Sequence, residues 1–175
     1  MTFFTADWHY GHEAIISYCD RPFKNVHYMN KTLVDNYRST VTPDDECFFL
    51  GDLTLFSSTK KEELKNVFSK LHGHKHLILG NHDCLKPFDY HELGFESVHT
   101  ILDYCDYSLV HDPVYAQGYD QIWLCGHVHN LWTTLETNHH TRIINVGVDV
   151  WGYKPVALDQ LSLIARSMRK NENPL

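Results

Sequence analysis

Ile78-Leu79-Gly80-Asn81-His82-Asp83 ends an apolar run on a glycine and follows it at once with three side chains able to bind metal or move protons. Taken alone it is a turn after a strand. Four other stretches repeat the pattern. Phe3-Phe4-Thr5-Ala6 leads into Asp7-Trp8-His9, and Cys47-Phe48-Phe49-Leu50 leads into Gly51-Asp52. Ser108-Leu109-Val110 runs into His111, and Ile122-Trp123-Leu124-Cys125 into Gly126-His127-Val128-His129. Five apolar strands thus each deliver Asp, Asn or His at the C-terminal end, the edge where open α/β sheets place their ligands.

The segments between these blocks read mostly as helices. Residues 12–19 put Ile15, Ile16 and Cys19 on one face, and residues 29–41 place Leu33, Tyr37 and Val41 at i, i+4 and i+8. Thr59-Lys60-Lys61-Glu62 fits a capping box before Leu64, Val67, Phe68 and Leu71, with Gly73 ending that helix. The order β-α-α-β-α-β predicts a mainly parallel sheet built from right-handed crossovers. After residue 95 short strands at 97–102, 106–110, 121–125 and 141–148 predict a second sheet with hairpins. A closing helix over 158–168 and a fraying polar tail from about 170 complete one domain of residues 1–175.

Composition narrows the function classes. A chain of 175 residues is long enough to bury roughly 70% of its unfolded surface without staples. Five cysteines form no C-x-x-C pair and are odd in number, which argues against a disulfide framework and for a reducing cytoplasm. The N-terminus lacks a basic stretch before its first charge, so it does not read as a signal peptide, and no apolar run suggests a membrane span. A net charge of −7 argues against a dedicated duplex-DNA binder. Fourteen histidines favour metal chemistry.

Asp7, His9, Asp52, Asn81, His111, His127 and His129 are all nitrogen or oxygen donors. Without a thiolate among them, Mn, Fe, Co, Ni, Zn or Mg is favoured over a structural zinc or iron–sulfur site. Asp7 and His9 are two apart on an extended segment, as are His127 and His129, so each pair can face one ion. Seven donors are too many for one ion and suit two ions sharing a carboxylate.

In order and rough spacing, Asp7-x-His9, Gly51-Asp52, Gly80-Asn81-His82-Asp83, His111 and Gly126-His127-x-His129 resemble the calcineurin-like metallophosphoesterase superfamily. Asp7-Trp8-His9-Tyr10-Gly11-His12, Cys19-Asp20-Arg21-Pro22-Phe23 and Asn145-Val146-Gly147-Val148-Asp149-Val150-Trp151 are similar to its small bacterial and phage members. The resemblance implies a two-sheet α/β sandwich flanked by helices, in four αββα layers. It implies two divalent ions, Mn2+ first among them. Asp7, His9, Asp52 and His129 would hold one, and Asp52, Asn81, His111 and His127 the other, with Asp52 bridging. A hydroxide between the ions would attack phosphorus in line, and His82 would protonate the leaving oxygen. Catalysis would then rest on Asp52, Asn81 and His82, and substrate contacts on Asn81, His82, Arg21 and His12. Arg21 offers a guanidinium fork suited to phosphate or fixes a surface turn; His12 lines the site or caps a helix.

The second block continues as Leu53-Thr54-Leu55-Phe56, without the Asp and Arg that phosphoprotein phosphatases of the superfamily carry there. That departure leaves His82 without an evident orienting carboxylate and favours a small phosphodiesterase or phosphatase acting on a phosphate-ester small molecule or nucleotide. Scaffold members and nucleases of the superfamily are the alternatives. Scaffolds tend to lose ligands, and this chain has the full set. His72, His74 and His76 read as a solvated helix-to-strand turn, His139 and His140 as a hairpin turn, and Cys84, Cys125, Trp132 and Trp151 as packing residues.

Overall fold

The computed structural model describes residues 1–55, 60–118 and 120–170. The chain forms two mixed five-stranded sheets packed as a sandwich with flanking helices. The first sheet runs β10-β1-β2-β3-β4, from β1 (Thr2–Thr5), β2 (Glu46–Phe49), β3 (His74–Ile78), β4 (Phe95–His99) and β10 (Val156–Ala157). All neighbours in it are parallel except β10 against β1. The second sheet runs β5-β6-β7-β9-β8, from β5 (Ile101–Tyr104), β6 (Tyr107–Val110), β7 (Ile122–Cys125), β8 (Thr134–Glu136) and β9 (Arg142–Asn145).

Alternation along each strand explains the layers, because successive side chains leave on opposite faces. Phe4, Phe48, Leu50 and Ile78 point inward onto Leu109, Ile122, Leu124 and Ile144 of the second sheet. Phe3, Cys47, Phe49 and Leu77 point outward to α1 (Ala14–Tyr18), α2 (Val26–Thr40), α3 (Lys61–Phe68) and α4 (Pro87–Glu92). Helix α5 (Leu158–Lys170) inserts Leu161 and Ala165 into the core between the sheets. The outer face of the second sheet, with Val110, Trp123, Cys125 and Ile143, is packed by Ala116 and Trp132 from loops. The helical layers are therefore unequal. No helix among the described residues is long and apolar enough to cross a membrane.

Several local expectations change. Residues 97–102 are not one strand: β4 ends at His99, Thr100 separates, and β5 begins the other sheet at Ile101. With one residue, Thr100, between the two strands and no glycine or proline there, nothing local signals the change of sheet. The second sheet has hairpins at β5–β6 and β8–β9, but β6, β7 and β9 are parallel. Helix α2 begins three residues earlier than its apolar periodicity indicates, because the Asn25 side chain accepts the Tyr28 N–H at 3.1 Å and caps it. Helix α4 goes unannounced by periodicity, starting on Pro87 at its first turn. Thr59 of the expected capping box and the tail 171–175 lie outside the described residues. His74 and His76 belong to β3, where His74 pairs with Glu96 and His76 stacks on Phe48. Cys84 is exposed rather than packed.

Candidate metal centre

All the parallel strands of both sheets end at one edge of the sandwich, and their loops are tied together there. Asp7 N donates to Gly51 O at 3.0 Å and His9 N to Asp52 O at 2.9 Å, continuing the β1–β2 register past the strand ends. A bridge from Ala6 to Gly147 joins the two sheets at the same edge. Trp8 sets the direction of its neighbours. Its ring is buried among Tyr37, Phe49 and Phe68, with centroids 5.4–5.7 Å away, and Nε1 donates to Thr5 Oγ1 at 2.8 Å. With Trp8 pulled into the helix-side core, Asp7 and His9 turn the other way.

The side chains so placed fall into two groups. Donor atoms of Asp7, His9 and His129 lie within 4.8 Å of one another, as do those of Asp52, His111 and His127. Asp52 faces both: Oδ2 is 3.4 Å from His9 Nε2 and Oδ1 is 3.4 Å from His111 Nε2. Asn81 Oδ1 lies 3.1 Å from His111 Nε2 and 2.9 Å from His127 Nδ1. The backbone is strained at the same places. Asp7, His9, Asp52, His127 and His129 have φ between 47° and 72°, a left-handed conformation that persists only where surrounding contacts impose it.

The donor chemistry fits divalent cations. Both ring nitrogens of His9 are buried without a hydrogen-bond partner among the described residues. Burial also holds that imidazole neutral, down to about 3, against the pull of Asp52. His111 Nδ1 faces the Leu50 carbonyl at 2.7 Å and donates to it, so Nε2 converges as a third acceptor on Oδ1 of Asp52 and of Asn81. Such a point is satisfied by a proton or a metal. In the metal-free protein burial opposes the proton, yet the Asp52 hydrogen bond and the charges of Asp7 and Asp52 raise His111 to about 9. Burial pushes Asp7 upward, while the His127 N–H donates to its oxygens at 2.9 and 3.0 Å.

Glycines make this approach possible. A Cβ on Gly80 would collide with the Asp52 carboxylate and amide, and one on Gly147 would stand 2.6 Å from Asp7 Oδ2. Gly80→Ala is therefore expected to weaken Mn2+ binding by about 10–100-fold through displacement of Asp52, at about 1–3 kcal/mol of stability. Titration calorimetry and a thermal melt measure the two; unchanged Mn2+ affinity would show that Asp52 is not a ligand.

His82 stands beside this centre with 41% of its side chain exposed, its Nε2 4.0 Å from Asp52 Oδ2 and its ring edge-on to His9 at 5.4 Å. Its backbone N–H donates to Asp52 Oδ1 at 2.9 Å. Its ring makes no hydrogen bond among the described residues. His12 lines the same cleft, its ring 5.5 Å from His9.

No family model matches this chain. It is 36% identical over 173 residues to the uncharacterized protein MJ1445 of Methanocaldococcus jannaschii, covering 95% of this chain and 90% of that one. The chain belongs to the same family as this archaeal protein. The Gene 66 protein of Mycobacterium phage L5 is 28% identical over 203 residues, with 98% and 97% coverage. Among solved structures, a protein of unknown function from Aquifex aeolicus, AQ665, superposes with a TM-score of 0.69 at 23% identity, over 94% of this chain and 98% of that one. Pseudomonas putida nuclease MPE superposes at 0.53 with 17% identity, over 82% of this chain and 67% of that one. Both likenesses are of fold.

In this family member Arg21 is not free to hold phosphate. Nε and Nη2 donate to the two oxygens of Asp149 at 2.7 and 2.8 Å, Nη2 also to Asp7 O at 2.7 Å, and Nη1 to Trp8 O and Met29 Sδ. Both side chains of the ion pair are buried. The expectation of a phosphate clamp gives way to a brace: Arg21 holds the carbonyls of the strained Asp7–His9 loop and fixes Asp149. Asp149 Oδ2 in turn faces His129 Nδ1 at 3.1 Å, leaving Nε2 as the lone-pair nitrogen of that histidine. A third donor group, Cys19, His129 and Asp149, overlaps here, but Arg21 occupies that carboxylate. The Cys19 thiol is pushed up to about 11 by burial and by Asp149, so it stays protonated.

Two supporting carboxylates escape sequence reading. Asp149 sits 128 residues from its arginine. Asp83 lies inside the quoted third block, and its side chain accepts the N–H groups of Gly80, Asp52 and Leu53 at 2.8–3.0 Å, pinning the second block to the third. Burial, with the Asp52 charge, raises Asp83 to about 6 against the Gly80 and Leu53 donors.

Proposed function

We propose that this protein is a divalent-metal-dependent phosphoesterase of the calcineurin-like type, hydrolysing a phosphodiester in preference to a monoester. The observation that carries the reading is Asp52, whose two oxygens each face a different imidazole at 3.4 Å, one carboxylate serving two donor groups. Divalent cations, when bound, supply positive charge for the phosphoryl oxygens and make water a nucleophile near neutral pH. Asp7, His9, Asp52 and His129 would hold one, and Asp52, Asn81, His111 and His127 the other.

The chain's own residues do the rest. Asp52 sets the spacing of the two halves, and Asp83 fixes the loop that carries Asn81 and His82. His111 is oriented by the Leu50 carbonyl and His129 by Asp149. His82, beside Asp52 with its ring partly in solvent, would give a proton to the departing ester oxygen. His12 lines the same cleft and would contact the substrate. The likeness to Pseudomonas putida nuclease MPE favours a second reading, cleavage of a nucleic-acid strand by the same chemistry. The acidic charge of −7 weighs against it.

The test strips the protein with chelator, reloads it with Mn2+, and measures bound metal alongside turnover of bis(p-nitrophenyl) phosphate and p-nitrophenyl phosphate. Diester hydrolysis should vanish with the chelator and return with Mn2+. Faster monoester turnover would reverse the preference. A protein that takes up no metal and hydrolyses neither ester would be a scaffold.

A further inference from the structure

Two clefts border the centre. One, of about 410 Å³, opens over His9, His82 and His129; the other, of about 440 Å³, opens over Asn81 and His111. Asp52 lies between the two donor groups. Each cleft carries an aromatic ring and an aliphatic side chain left in solvent: Tyr18 and Leu131 are 75% and 77% exposed at the first, Tyr115 and Ile101 62% and 49% at the second. Large apolar side chains displayed beside a reactive centre are contact surface waiting for a ligand.

The charge of the walls limits what that ligand is. Among the described residues no lysine or arginine lines either cleft, and the second includes Asp112. A nucleic-acid strand brings a row of phosphates, which proteins meet with lysine and arginine along the groove. Here positive charge is available only where the cations would sit, enough for one phosphate. Each cleft has the volume of a small-molecule site. A monoester would leave one of them empty.

Resting on the phosphodiesterase reading above, we infer that the substrate is a small phosphodiester bearing an uncharged, flat or apolar group on each side of its phosphate, one group per cleft, with Tyr18 and Tyr115 as the specificity-determining residues. In the reaction the oxygen of water forms the new bond to phosphorus, one ester P–O bond breaks, and the departing oxygen takes a proton. One group leaves as an alcohol or phenol and the other as a monoester. That product fills only one cleft, so hydrolysis stops there.

The experiment compares wild type with Tyr18→Ala and Tyr115→Ala, both Mn2+-loaded, on bis(p-nitrophenyl) phosphate, methyl p-nitrophenyl phosphate and a thymidine oligonucleotide. Calorimetry with diphenyl phosphate reads binding apart from turnover. Each substitution should raise KM for the bis-aryl ester by about tenfold with kcat held, and weaken diphenyl phosphate binding in parallel. Wild type should favour the bis-aryl over the methyl ester in kcat/KM, with little dependence on salt. Unchanged KM in both variants would overturn the inference, as would an oligonucleotide cleaved best with a rate falling steeply in salt. Absence of hydrolysis of every ester by Mn2+-loaded wild type would instead remove the phosphodiesterase reading. Diphenyl phosphate binding that ignores both tyrosines would remove the two-cleft inference separately.

Discussion

Asp52→Asn is expected to abolish hydrolysis while leaving the fold in place. The carboxylate presents two equivalent oxygens, one toward His9 and one toward His111. An amide presents one oxygen and an NH2 group, so only one side keeps a ligand and the other faces a donor that repels a cation. The framework does not rest on that charge alone. The loops at this edge are joined by backbone hydrogen bonds and by the Asp83 side chain, and the amide oxygen of asparagine can still accept the His82 N–H. The loss in kcat/KM should exceed about 100-fold, the upper end for removing a residue that merely supports a ligand. Metal analysis should find fewer bound ions per chain, and in chelator the variant should still melt cooperatively, at a midpoint lowered by loss of the Asp52–His111 pair. Wild-type turnover by Asp52→Asn would refute a shared carboxylate.

Arg21→Met is expected to cost stability and metal affinity together, by separable routes. The substitution keeps bulk but strips the partner from Asp149, a carboxylate that lies 1% exposed. Arg21 and His129 together hold Asp149 below the usual carboxylate range against its burial. Leaving such a charge buried with only His129 beside it destabilises by up to about 3–5 kcal/mol, readable as a lowered denaturation midpoint. Arg21→Met with Asp149→Leu removes both charges and should recover much of that loss, since buried ion pairs are often replaceable by apolar groups. Metal affinity should not recover. His129 loses the carboxylate that sets its ring, a change worth about 10–100-fold in Mn2+ binding. If the double variant binds Mn2+ as wild type does, Arg21 and Asp149 serve stability alone.

Much of the candidate site was legible in the chain. Asp7, His9, Asp52, Asn81, His111, His127 and His129 each follow an apolar run, and a strand followed by its loop is a local feature that neighbouring residues specify. The helices of the first half were legible for the same reason: Leu33, Tyr37 and Val41 recur at helical spacing and are all buried. Errors fell where local pattern is silent. Asn25 caps α2 ahead of its first apolar residue, and Pro87 opens a helix too short to show a period.

By itself the sequence determined which residues stand at strand ends and what chemistry their donors allow, because strand period, turn glycines and donor type are written within a few residues of each other. Only the tertiary structure decided that the chain leaves one sheet at Thr100 for the other. It alone turned Arg21 from a phosphate contact into the partner of Asp149, and opened one cleft that Tyr18 lines with His9 and His129 and another that Tyr115 lines with His111. Those outcomes depend on pairings between residues far apart in the chain. Such pairings arise only when two sheets and their loops close on one another, and no local pattern encodes them.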